Sequence, residues 1–192
     1  MKNTKYDIET IKDVLEDELD AKRYEHTLGV AYTAAALAMR YECSVEKAFI
    51  AGLLHDCAKC MKKKEKEEYC QKKKIVLSDT ETKIPALQHA KIGSYLCETK
   101  YGVTDMEIKS AILYHTTGHP DMSLLEKIVF IADYIEPNRE PLPNIDVIRK
   151  TTFEDLDSGL KMILKDTLQY LNECGKTIDP MTQITYDFYL NN

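Results

Sequence analysis

The sequence predicts an all-α fold, and a few observations carry that prediction. Apolar residues recur at helical spacing along most of the chain. Capping residues, glycines and prolines mark where those patterns start and stop. No sustained alternation of apolar and polar residues suggests a strand, and no internal repeat is present. At 192 residues, 44% hydrophobic and 30% charged, the chain suits one domain spanning 1–192 around a single core. Its seven glycines and six prolines are too few for a loop-rich all-β protein.

In chain order, Ile8 to Leu19 is amphipathic, and Ala21 to Tyr41 places His26, Val30, Thr33, Ala34 and Leu37 on one side. Ser44 is placed to cap a helix running to the doublet His55-Asp56. On that helix Ala48, Ala51, Gly52, His55 and Lys59 share a face, and the small residues invite close approach by another helix. Residues 62–74 predict a short exposed helix, and Pro85 opens a stretch through His89 to Lys100, with Gly102 as its stop. Thr104-Asp-Met-Glu107 reads as a capping box for a helix ending near His115. Ser123-Leu-Leu-Glu126 reads as another, for a helix closed by Pro137. Thr152 is the expected cap of a final long helix ending at Gly175.

The start, Met1-Lys-Asn-Thr-Lys-Tyr-Asp-Ile-Glu9, has no apolar core for a signal peptide, and no apolar run approaches the ~20 residues that span a bilayer. A cytoplasmic protein with no membrane partner is expected. Its cysteines (43, 57, 60, 70, 97 and 174) then read as reduced, packed thiols, the Cys57-Ala-Lys-Cys60 pair included. The net charge of −6 disfavours a nucleic acid polymer as partner. Lys59 to Lys74, with eight lysines against three glutamates, reads as a solvated helix face or as an electropositive rim for an anionic substrate. Neither a P-loop nor a Gly-x-Gly-x-x-Gly turn occurs, and no Gly-x-Ser-x-Gly elbow does.

The chemistry concentrates in histidines and acids. Neighbouring side chains on a helix diverge by about 100°, so a His55-Asp56 doublet serves one centre best at a helix end. Asp133 stands in Ile128-Val-Phe-Ile-Ala-Asp133-Tyr-Ile135, where an ionised carboxylate costs several kcal/mol unless a cation or partner compensates it. A buried salt bridge would suffice for Asp133 alone. With His26, His55, His89 and His115 also on apolar helical patterns, a shared metal explains more. Imidazole with carboxylate suits a divalent transition metal, Fe, Mn, Zn, Co or Ni, better than Mg or Ca. Scattered ligands point to a catalytic site with open positions, where a metal lowers the pKa of its water. Lys59, Arg139 and Arg23 are cations near these residues that suit phosphate oxygens, surface charge being the alternative for each. His119, beyond Gly118, falls outside the ligand set.

These residues resemble a known family. His26, His55-Asp56 and Asp133 are similar to the H…HD…D signature of HD-domain metal-dependent phosphohydrolases. The words Arg23-x-x-His26-x-x-x-Val30, Leu54-His55-Asp56-x-Ala58-Lys59, His115-Thr-Thr-Gly118 and Ile131-Ala-Asp133-Tyr-Ile-Glu136-Pro137-x-Arg139 resemble the YqeK family, symmetrical diadenosine tetraphosphate hydrolases. The resemblance, over about 10–190, implies an HD-type helical bundle with a metal site between helices. Its core would cover about 20–140, with a C-terminal helix and substrate-closing tail over about 150–192. It implies that His26, His55, Asp56 and Asp133 bind the principal metal, often iron. His89 and His115 would complete a second metal site or hold phosphates. Asp56, Lys59 and Asp133 would be catalytic, and Lys59, Thr116 and Arg139 would touch phosphates. The tail Lys176, Thr177, Ile178, Asp179, Pro180 and Met181 would close over the nucleoside. The implied ligand is a dinucleoside polyphosphate, split to two ADP by metal-activated water, or the nucleoside diphosphate product. Alternatives are another HD-type nucleotide phosphatase or phosphodiesterase, or a sensor that binds nucleotide without turnover. The oligomeric state stays open, a homodimer being one option.

Overall fold

The computed structural model describes residues 6–139 and 142–191. Residues 1–5, on which part of the signal-peptide reading rests, lie outside them. The elements in order are α1 (Ile8–Glu18), α2 (Ala21–Arg40), α3 (Val45–Leu54), α4 (Lys63–Lys73), α5 (Asp79–Lys83), a 3-10 turn (Pro85–Leu87), α6 (Gln88–Thr99), α7 (Met106–Tyr114), α8 (Leu124–Ile135), α9 (Ile145–Glu154), α10 (Leu156–Glu173) and α11 (Pro180–Asn191). No strand occurs among the described residues, and no described helix is long and apolar enough to cross a membrane.

Helices α2, α3, α7 and α8 pack around the core, with α6 on α7 and α9 and α10 against the far side of α8. Leu37, Ile50, Leu53, Leu54, Ile112, Ile128 and Ile131 are fully buried there. Burying each such side chain contributes ~1.5–3 kcal/mol. The small-residue face of α3 does what its composition suggests. A Cβ on Gly52 would lie 2.7 Å from the Ala31 Cα, so α2 and α3 meet backbone to backbone. A smaller cluster of Ala58, Cys70, Ile75 and Ile92 fixes α4 against α6.

Several boundaries depart from the sequence reading. Asp105, not Thr104, caps α7, its carboxylate accepting from the Glu107 and Ile108 N–H groups. A charged acceptor outcompetes the neighbouring hydroxyl for those helix-start donors. Thr152 is not a cap: it is buried within α9, a helix the sequence reading missed, and Asp155 caps α10 by accepting from Ser158 N–H. The short α5, opened by a Ser78/Glu81 capping box, was also missed. The tail is loop only to Asp179. Pro180 then opens α11, where its fixed φ and absent N–H are tolerated in a first helical turn. Tyr189 of α11 accepts the Met122 N–H at 2.7 Å, tying this helix to the turn before α8.

The lysine run is mostly solvated, with Lys63–Glu67 and Lys64–Glu68 pairs at 3.8 and 3.7 Å. Lys66 departs from this by turning inward, its ammonium 3.4 Å from the Lys59 carbonyl. Cys57 is packed inside, where burial pushes its thiol pKa up, and Cys60 is exposed.

Candidate metal centre

Helix ends bring the donors together. α3 stops at Leu54, so His55 and Asp56 follow its last turn, and α7 stops at Tyr114, so His115 does the same. His26 projects from the first half of α2, His89 from the start of α6 and Asp133 from the last turn of α8. His26, His55, Asp56, His89 and His115 are all buried, and the Asp133 side chain retains 22% exposure.

The rings are held in one protonation pattern. His55 Nδ1 donates to the Gly52 carbonyl at 2.6 Å, His89 Nδ1 to Ala86 at 2.5 Å, and His115 Nδ1 to Ile112 at 2.7 Å. A carbonyl can only accept, so Nδ1 carries the proton in each ring and Nε2 presents a lone pair. For His55 and His115 the acceptor is a carbonyl that the helix C-terminus leaves without an intrahelical partner. His26 is oriented differently. Its Nδ1 lies 3.0 Å from Oε1 of Glu136, a fully buried carboxylate whose other oxygen accepts the Asn138 N–H at 2.6 Å. A Cβ on Gly29 would lie 2.3 Å from Glu136 Oε2, so only glycine leaves room for this carboxylate.

The Nε2 atoms therefore meet other lone pairs. His26 Nε2 is 3.0 Å from Asp133 Oδ1, and His55 Nε2 is 3.6 Å from Asp56 Oδ2 and 3.8 Å from Asp133 Oδ1. His89 Nε2 is 3.0 Å from Asp56 Oδ1 and 3.1 Å from His115 Nε2. Such contacts repel unless a proton or cation lies between the atoms. His26 Nε2, His55 Nε2 and Asp56 Oδ1 are buried with no hydrogen-bonding partner among the described residues. Three overlapping sets, His26/His55/Asp56, His55/His115/Asp133 and Asp56/His89/His115, bring ligand atoms within 4.8 Å of one another. This donor set fits a transition-metal cation.

The electrostatics agree with that fit. Burial pushes the His55 and His89 imidazoles down to about 4, leaving both neutral near pH 7. Burial alone would raise the acids, but a proton or positive charge in the contacts with His55, His115 and His89 holds Asp56 well below the usual carboxylate range. The same at the His26 contact does so for Asp133. Burial likewise opposes protonation of His26, yet Asp133 and Glu136 outweigh it and raise its pKa. The centre thus sets the ionised Asp56 and Asp133 beside the neutral rings of His55 and His89.

Cations stand at the rim. Lys59 Nζ is 3.1 Å from His89 Nε2 and 3.4 Å from Asp56 Oδ1. Arg23 Nη1 is 2.7 Å from Asp56 Oδ2, and Arg139 Nη2 is 3.9 Å from Asp133 Oδ1. The Thr116 hydroxyl is 3.1 Å from His115 Nε2. Above them opens a cavity of about 1070 Å³, lined by His26, Lys59, His115, Thr116, Asp133 and Arg139 and reaching Tyr170 and Glu173 of α10.

His119 lies apart, against Tyr114 and 3.2 Å from Glu126 Oε2. Lys176 reaches the cavity wall only through the Tyr170 hydroxyl, at 2.8 Å, and Thr177, Ile178, Asp179, Pro180 and Met181 do not line the cavity. The sequence reading gave no role to Glu136 or Gly29. The available signal was that Asp133 and Glu136 stand three residues apart, on neighbouring positions of a helix turn.

Residues 23–138 match the HD domain family. The chain is 38% identical over 177 residues to a "Bis(5'-nucleosyl)-tetraphosphatase, symmetrical" of Bacillus subtilis (strain 168), covering 92% of this chain and 94% of that protein. It is 37% identical over 179 residues to a protein of the same name from Halalkalibacterium halodurans, covering 91% and 92%. It also resembles the crystal structure of a "predicted HD superfamily hydrolase involved in NAD metabolism" from Clostridium acetobutylicum. There the TM-score is 0.92, the identity 39%, and the match covers 97% of this chain and 98% of that one.

Proposed function

The chain belongs to the HD domain family, and on that footing we propose that it is a metal-dependent hydrolase splitting diadenosine tetraphosphate symmetrically into two ADP. The observation that carries the reading is the convergence of the Nε2 lone pairs of His26, His55, His89 and His115 on Asp56 and Asp133 beneath a cavity rimmed by Lys59, Arg23 and Arg139. Relatives named for this activity align over nearly their whole length.

His26, His55, Asp56 and Asp133 hold the cation, and His89 with His115 either completes a second site or receives phosphate. Fe, Mn, Zn, Co and Ni all suit this donor set, and the resemblance to HD-domain phosphohydrolases favours iron among them. When bound, such a cation polarises a phosphoryl oxygen and lowers the pKa of water. The chain's own groups supply the rest. Glu136 holds the His26 ring so that Nε2 faces the centre. Lys59 Nζ and the Arg139 guanidinium donate to the phosphate oxygens on which charge grows as the bridging P–O bond breaks. The Thr116 hydroxyl, beside His115 Nε2, donates a further hydrogen bond to the same oxygens. One water is consumed, the central anhydride opens, and each half departs as ADP.

Incubating the purified protein with diadenosine tetraphosphate and Fe²⁺ or Mn²⁺ tests this, with ADP expected as the sole nucleotide product. AMP plus ATP would rule out central cleavage. Asp56→Ala is expected to lose both metal and turnover, and full activity in that variant would end the proposal.

A further inference from the structure

A second concavity, of about 850 Å³, runs along a neighbouring face of α2. It is lined by the α2 positions 21, 24, 25, 28, 29, 32, 33 and 36, spaced as one helix face, together with Glu16, Ile135, Pro137, Asn138, Arg149 and Phe153. That face lies about a third of a turn round α2 from His26. The groove and the cavity over the metal centre share Ala21, Glu25 and Asn138, so they meet at a common rim. There the Asn138 side-chain amide approaches the Glu25 carbonyl at 3.5 Å.

The two concavities differ in their cations. Lys22, Arg23, Lys59 and Arg139 line the cavity, alongside the acids Glu25, Asp133, Glu136, Asp166 and Glu173. The groove has Arg149 alone, and that guanidinium is engaged at 2.9 Å by the carbonyls of both Ile135 and Glu136. Glu16 and Glu25 are its other charged groups, set among the aromatic rings of Tyr24, Tyr32 and Phe153. Tyr32 and Phe153 are 59% and 41% exposed, large apolar surfaces left uncovered. Such a lining gives a phosphate chain no cation beyond the engaged Arg149. An uncharged nucleoside suits it: the rings offer stacking faces for a base, and the carboxylates accept hydrogen bonds from a ribose diol.

We propose that this groove is the subsite for the second nucleoside of the substrate. The inference rests on the function proposed above. A symmetrical dinucleoside tetraphosphate has equal halves on either side of the scissile bond, and they leave the metal centre in opposite directions. One nucleoside occupies the cavity toward Tyr170. The other passes the rim at Ala21, Glu25 and Asn138 and stacks along the Tyr24–Tyr32 face of α2. The four basic side chains of the cavity hold the phosphates over the centre, and the groove, with its Arg149 already engaged, draws none past it.

The test compares diadenosine tetraphosphate with adenosine 5′-tetraphosphate, which has the same four phosphates but one nucleoside. Wild-type protein is expected to show a KM about 10-fold lower for the dinucleoside, the scale of one aromatic–base stack. Tyr32→Ala and Phe153→Ala, both at exposed side chains, are expected to remove most of that advantage while leaving kinetics on adenosine tetraphosphate unchanged. Equal wild-type KM values, or variants that keep the dinucleoside advantage, would overturn the subsite and leave the proposed activity standing. No wild-type turnover of either compound would overturn both. Light scattering on the same proteins separates the competing occupant: a dimer that Tyr32→Ala dissociates would put a second copy of the chain in the groove and overturn the proposal.

Discussion

Glu136 lies beneath His26 with its Oε1 3.0 Å from Nδ1, whereas the Nδ1 atoms of His55, His89 and His115 each meet a backbone carbonyl. A carboxylate partner fixes the ring and makes its free nitrogen a stronger donor to a cation. Glu136→Gln is therefore expected to weaken metal retention about 10- to 100-fold with the fold intact. Chelator competition, followed by elemental analysis, reads this directly. Gly29→Ala should act in the same direction, because the added methyl collides with the flexible end of Glu136 rather than with backbone. Wild-type retention in both variants would remove Glu136 from the site's design.

The rim cations should matter to turnover more than to stability. Lys59→Ala is expected to lower kcat/KM by about 10²–10³, the scale for losing one donor at a developing oxyanion. Arg139→Lys keeps the charge but loses the planar fork, and a smaller loss is expected. Steady-state kinetics with unchanged thermal midpoints would support these roles. A Lys59→Ala enzyme within twofold of wild type would contradict them.

Acid should destabilise the metal-free protein between pH 6.5 and about 4. His55 and His89 titrate near 4 when folded and near 6.5 in an unfolded chain, so in this window the unfolded state binds more protons. Their contribution is complete above pH 6.5 and is lost as pH falls, on the order of a few kcal/mol in total. His26, whose folded pKa is raised, works in the opposite sense: its contribution is present below 6.5 and fades above it. Two depressed histidines against one raised leave a net loss on acidification. Thermal midpoints measured across this range in chelator should fall, and a flat or rising profile would refute the assignment of neutral rings.

At the α2–α3 contact, Gly52→Ala should cost stability although alanine is the better helix former. The intrinsic gain is up to ~1 kcal/mol. Forcing a Cβ to within 2.7 Å of the Ala31 backbone costs ~1–3 kcal/mol or more, because two helices must part. Urea denaturation should show a lower midpoint than wild type. An unchanged midpoint would mean that the helices separate at no cost.

Much of this architecture was readable from local chemistry. Ser44 and Ser123 have few competitors as caps, and both hold the positions their sequences indicate. The His55-Asp56 doublet sits at a helix end, as the divergence of neighbouring side chains requires. Legibility failed where two good caps stood close together, as at Thr104 and Asp105, since composition does not say which side chain reaches the free N–H groups. It failed at α11 because a short segment opening with Pro reads equally as a loop, and only packing on Met122 settles it. At the centre, residue types announced a cation. Which groups would orient the rings was not legible, because Glu136 meets His26 across 110 positions of sequence.

The bonds from His55 and His115 to the carbonyls of Gly52 and Ile112 have a kinetic consequence. The same contacts that finish α3 and α7 also aim the rings, so helix termination and donor alignment are one event during folding. A newly folded chain then presents its donors already poised, and capture of an ion waits on diffusion into the cavity rather than on a slow rearrangement of loops.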